Sequence, residues 1–159
     1  MANIAQVDIL SALVTLLNSV SGIGIILPDR KFIDDFSDNL LRVIQAENSG
    51  VAKGGAITWE SFTQRDDTQC DVIIEYTYRL GYVFPYDDQS ATTSWTSFNA
   101  VISGMIDALN NNRDLGFGPP VRHDGLQSEG ATGLKAWGNQ RLVTHAGEFL
   151  IVVQAINVY

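Results

Sequence analysis

Apolar and polar residues alternate with a period of two along residues 70–80. Val72, Ile74, Tyr76, Tyr78 and Leu80 fall on one side, and Asp71, Ile73, Glu75, Thr77 and Arg79 on the other. That spacing predicts a strand with one face on a core. After a turn at residues 85–93 the period changes. Trp95, Phe98, Val101, Ile102, Met105, Ile106 and Leu109 form a helical stripe. Thr92, Thr93 and Ser94 are the candidate caps, and the helix is expected to stop at Asn110-Asn111-Asn112.

The flanks are read the same way. Ile4, Val7, Leu10, Leu13, Val14, Leu17 and Val20 predict an amphipathic helix over residues 4–20, ended by Gly22 and Gly24. Residues 32–48 carry two periods at once. Phe32, Phe36, Leu40 and Ile44 have helical spacing, but residues 40–46 also alternate, and the turn-like Ser37-Asp38-Asn39 favours a strand there. Residues 56–62 set Ile57, Trp59 and Ser61 against Thr58, Glu60 and Phe62, a strand that Arg65-Asp66-Asp67 turns back as a hairpin into the strand from Cys70.

Residues 111–140 show little periodicity. Six glycines and Pro119-Pro120 interrupt them, so an irregular segment is expected, with Trp137 as its anchor. A second hairpin closes the chain, with residues 141–145 turning at Ala146-Gly147 into an apolar strand over residues 148–159. Together these elements predict one domain over residues 1–159 of α+β class. Its sheet is mostly antiparallel with four to five strands, and two amphipathic helices pack on one face.

Composition narrows the class. At 159 residues with 45% hydrophobic and 18% charged residues, the chain suits a single globular domain. No apolar run approaches the roughly 18 residues that cross a bilayer, so no membrane partner is expected. The first eight residues carry Asp8 and no base, unlike a signal peptide. A single cysteine, Cys70, fits a reducing compartment and synthesis in a cytoplasm.

The net charge is −8 and unevenly placed. Residues 1–90 hold 13 acidic and 6 basic side chains, whereas residues 113–159 hold 4 of each. A basic stripe for gripping phosphates is missing, which argues against sequence-specific nucleic-acid binding. Like charge still allows DNA to pass such a surface without sticking.

The chemical inventory is thin. His123 beside Asp124 reads as a solvated loop pair, and His145 as a surface or sheet-edge histidine at the hairpin turn. Cys70 lies beside Asp71, whose charge disfavours a thiolate, so it reads as a small apolar residue. Gly22 and Gly24 do not complete a phosphate-binding glycine motif, because position 27 is leucine. The pairs Asp34-Asp35, Asp66-Asp67 and Asp87-Asp88 fall in predicted turns, where aspartate caps its own backbone. The sequence therefore predicts no catalytic residue, no cofactor and no metal site.

The order of elements, with Ala56-Ile57-Thr58-Trp59, Val72-Ile73-Ile74-Glu75-Tyr76, Tyr86-Asp87-Asp88-Gln89-Ser90 with the helix from Trp95, and His145 before the closing strands, resembles the tail terminators and head-to-tail joining proteins of long-tailed bacteriophages. The resemblance covers most of the chain and lies in pattern and order. It implies a virion protein without an active site. Such a protein forms a ring, usually of six copies, that caps the tail tube and meets the head connector. Partners would then be copies of the chain, a tail tube protein and a connector or neck protein, with DNA passing through the lumen. Contacts are expected at the acidic turn (Asp66, Asp67), at Trp137, and at His145, Phe149 and Tyr159 of the last hairpin. Another neck or tail-tube subunit, or a small cytoplasmic ligand-binding α+β domain, fits the same composition.

Overall fold

The computed structural model describes residues 3–28, 38–66, 71–87, 89–130, 132–137 and 142–158. The elements are α1 (Gln6–Asn18), β1 (Ile25–Leu27), α2 (Asp38–Glu47), β2 (Gly54–Asp66), β3 (Asp71–Pro85), α3 (Ala91–Asn110), β4 (Val121–Ser128), β5 (Gly133–Trp137) and β6 (Leu142–Val158). Among the described residues six strands form one sheet in the order β1-β2-β3-β6-β4, with β5 also on β6. Every pairing is antiparallel except β1 with β2. The α+β class and the mostly antiparallel sheet agree with the sequence, although the sheet is larger than expected and a third helix is present.

The centre of the sheet is the β3–β6 pair, in register from Asp71 opposite Val158 to Pro85 opposite Thr144. The alternation in β3 sends Tyr76, Tyr78, Leu80 and Tyr82 to one face, where Phe149, Ile151, Val153 and Ala155 of β6 join them. Helix α1 covers that face with Ile9, Leu10, Leu13 and Leu17, and α3 with Phe98, Val101, Met105 and Leu109. The spacing of these residues at three and four keeps each set on one helical stripe. Burying each such side chain contributes about 1.5–3 kcal/mol. The tyrosine hydroxyls are not wasted in this core. Tyr78 donates to the Gln6 carbonyl at 2.8 Å and Tyr82 to the Ile23 carbonyl at 2.9 Å. Burial pushes both phenols well above their ordinary range.

Successive strand residues point to opposite faces, so Val83, next to Tyr82, opens a second core. There it meets Ala56, Ala146, Leu27 and Trp137, capped by Leu40, Leu41 and Ile44 of α2. The expected strand over residues 40–46 is thus a helix. Its residues also alternate, but burying Leu40, Leu41 and Ile44 together takes the helical period, and tertiary packing decides between the two. Phe32 and Phe36 lie outside the described residues.

Two further expectations are corrected. The segment over residues 111–140 is not irregular throughout, since β4 and β5 run through it. They lie end to end along the same edge of β6, and Glu129 N–H to Glu148 carbonyl, at 2.9 Å, prolongs the β4 pairing. A bulge between His123 and Leu126, with Gly125 at φ +95°, breaks the alternation that a sequence pattern would show. The closing hairpin is also absent. Residues 142–158 form one strand that passes straight through Ala146-Gly147. Gly147 serves close packing instead of a turn: a Cβ there would lie 2.9 Å from the Phe149 ring.

Candidate assembly surface and the buried histidines

Strand β1 pairs β2 only from Gly54 to Ala56. Past that point β2 continues over residues 57–66 with no strand on its outer side among the described residues. Residues 60–65 are all exposed. A run of unpaired backbone donors and acceptors is a ready template for another strand. A bulge between Trp59 and Ser61 also changes which side chains this edge presents. Plain alternation would put Trp59 and Phe62 on opposite faces. With the extra residue in the strand they share one face and stack, centroids 6.2 Å apart, and Phe62 is 56% exposed.

The other face of the hairpin carries charge. Arg79 of β3 donates to Glu60 on β2 at 2.6 and 3.0 Å and to Glu148 on β6 at 3.3 Å, and it also pairs with Glu129 just past β4. Three carboxylates thus share one guanidinium. Next to them Glu75 accepts from Arg65 at 2.6 Å and from Gln154 at 2.7 Å. Single exposed pairs contribute about 0–1 kcal/mol, but a network spanning four segments of the sheet fixes their register as a unit. An open groove of about 590 Å³ lies at the break between β4 and β5, lined by Glu129, Thr132, Lys135 and Glu148 among others.

Both histidines are interior residues, contrary to expectation. His123 is 1% exposed in β4. Its Nε2–H donates to the Asn112 carbonyl at 2.9 Å and its Nδ1 accepts from Gly125 N–H at 3.0 Å, a fully satisfied neutral ring. His145 is 2% exposed in β6, stacked on Phe98 and flanked by Trp95 and Tyr86. Its Nε2 lies 2.8 Å from Ser94 Oγ, and its Nδ1 has no partner among the described residues. Burial pushes both imidazoles below their ordinary pKa. Ser94 with His145 has the atoms of a nucleophile and a base. Yet the pair is walled in by aromatic rings, and no described group orients Nδ1 as the third member of a triad would.

The candidate contact residues are placed as follows. Trp137, His145 and Phe149 are 2%, 2% and 3% exposed, so each packs within its own chain and offers no surface to a partner. Asp66 ends β2, with its side chain outside the described residues, and Asp67, Cys70 and Tyr159 lie outside them altogether. Among the described residues no group of three His, Cys, Asp or Glu side chains is arranged to hold a metal. No described helix is long and apolar enough to cross a membrane. Phe62 and Arg79 were missed by the sequence reading. The bulge hid Phe62, and Arg79 looked like one more polar position on an alternating strand.

No protein-family model matches the chain, and no curated protein does.

Proposed function

We propose that this chain is a structural virion subunit that acts by assembling, in the manner of the phage tail terminators and head-to-tail joining proteins it resembles. Copies form a ring, six in number by that resemblance, which caps the tail tube and joins it to the head connector. The observation that carries this reading is the outer edge of β2 beyond Ala56, unpaired among the described residues, with Phe62 standing exposed on it. A soluble monomer usually blunts such an edge. Here the edge carries a bulge at Trp59–Ser61 and ends at Asp66, but it has no proline, its Glu60 and Arg65 are drawn back onto Arg79 and Glu75 of the same sheet, and β-forming Thr58, Phe62 and Thr63 remain along it. The edge differs from the β4–β5 edge across the sheet, so joining unlike edges is head-to-tail and closes into a ring where the rotation allows.

The charge fits the same reading. A chain of net charge −8 lets DNA pass a lumen without binding it. The subunit has no catalytic step, needs no cofactor, is made in the host cytoplasm and resides in the tail or neck of the virion. Negative-stain microscopy of the purified chain tests this. Rings with a central hole, and their stacking on tail tubes when tube protein is added, support it. Compact monomers that leave tubes uncapped contradict it and favour the small ligand-binding domain.

A further inference from the structure

Helix α3 is fastened to the sheet by an imidazole at each end. At its start, Ser94 Oγ donates to the Ala91 carbonyl at 3.1 Å and accepts from Asp87 N–H at 3.3 Å. With its only proton so used, the hydroxyl receives Nε2–H of His145. Nδ1 of His145 is then a bare lone pair with no acceptor facing it among the described residues, buried among Phe98, Trp95 and Tyr86. Just past the other end of α3, His123 holds the Asn112 carbonyl.

A second proton has different consequences at the two rings. Imidazolium at His123 gives up the Gly125 N–H bond at Nδ1 and faces Arg113, but it keeps its Nε2–H bond and sits beyond the C-terminus of α3, where the helix dipole favours a cation and Asp124 and Asp114 lie close. Imidazolium at His145 would lie against the first turn of α3, where the dipole opposes it. The surrounding elements offer little compensation. Lys53 adds positive charge over the ring of Phe84, the residue opposite His145, at 5.2 Å. On the other flank, β5 places Leu134 opposite it, while Lys135 turns to the other face over Trp137. The only acid on α3, Asp107, is at its far end. On the segment leading into α3, Asp87 is the carboxylate among the described residues, and it already accepts from the Gln89 and Ser90 amides; its neighbour Asp88 lies outside them.

We propose that His145 is a proton-operated latch: on taking a second proton it releases the first turns of α3 from the sheet, while the C-terminal half stays docked through Met105, Leu109 and His123. Opening uncovers the apolar surface of Phe98, Tyr82 and Phe84, so the device converts acidification into a newly exposed patch at one end of the fold. Burial holds the ring neutral near pH 7 and sets opening below the ordinary imidazole pKa of 6.5.

Hydrogen exchange on the full chain at pH 7.5 and pH 5, corrected for intrinsic rates, tests this. Peptides over residues 91–101 are expected to lose at least about tenfold more protection at pH 5 than peptides over residues 103–110. His145→Gln, and the double change His145→Phe with Ser94→Ala, are expected to abolish that difference. Asp87→Asn is expected to move opening to higher pH. Equal protection at both pH values, uniform loss along α3, or unchanged pH dependence in the His145 variants overturns the proposal. If the variants do not fold, the ring carbon–proton resonances of the unaltered chain decide. Titration of His145 must coincide with loss of protection at residues 91–101, and titration without that loss overturns the latch.

Discussion

The indole N–H of Trp137 donates to the hydroxyl of Thr144 at 2.9 Å, and neither side chain is more than 2% exposed. The bond ties β5 to β6 on the face covered by α2, in the same cluster as Leu41, Ile44 and Val83. Two residues from stretches without a shared pattern thereby form the floor of the second core.

Replacing that indole should be costly. Trp137→Ala removes the largest buried side chain and orphans the Thr144 hydroxyl, and it is expected to destabilise by about 3–5 kcal/mol. Trp137→Phe keeps most of the buried area and loses the hydrogen bond, at about 1–2 kcal/mol. Urea unfolding of the three proteins checks both values, and equal loss in the two variants would show that the hydrogen bond dominates.

The Arg79 network makes a prediction of sign. Arg79→Leu leaves Glu60, Glu129 and Glu148 facing each other without their shared cation, on a side chain position only 17% exposed. The change is expected to destabilise by about 2–3 kcal/mol. Adding Glu129→Gln to Arg79→Leu should recover part of that loss, because one of the repelling charges is removed. Thermal melts of the single and double variants provide the measurement.

Stability should fall on mild acidification for a second reason besides the latch. Burial lowers the pKa of His123 from 6.5 in the folded chain. The unfolded chain then binds more protons between the folded value and 6.5, so stability is intact above that window and declines as pH drops through it. One such group contributes a slope of up to about 1.4 kcal/mol per pH unit. His123→Gln is expected to flatten the pH dependence of unfolding free energy below pH 6.5 while leaving the His145 share in place. An unchanged slope contradicts the assignment.

Much of the scaffold was legible in the sequence because strong periods survive in single elements. The alternation at Val72–Leu80 and the stripe from Phe98 to Leu109 are both core faces in the fold. Legibility stopped where a bulge or a pairing partner decided the outcome. Gly125 and the Trp59–Ser61 bulge each shift the alternation by one residue, hiding β4 and moving Phe62 to the other face. Ala146-Gly147 reads as a turn locally, but β3 pairs straight through it, with Val83 and Tyr82 opposite. His145 looked like a surface group for the same reason: its aromatic surroundings come from Tyr86, Trp95 and Phe98, which no spacing along the chain connects to it.

The central claim is assembly through the open edge of β2, and the mass of the particle in solution tests it most directly. Phe62→Glu changes an exposed side chain and is expected to leave the monomer's melting within about 0.5 kcal/mol of the unaltered chain. Light scattering behind size exclusion is expected to give the unaltered chain a mass six times its 17.4 kDa. The Phe62→Glu variant should run at one chain mass. An unaltered chain that remains a monomer at every concentration, or a variant that assembles as well as the unaltered chain, contradicts the account.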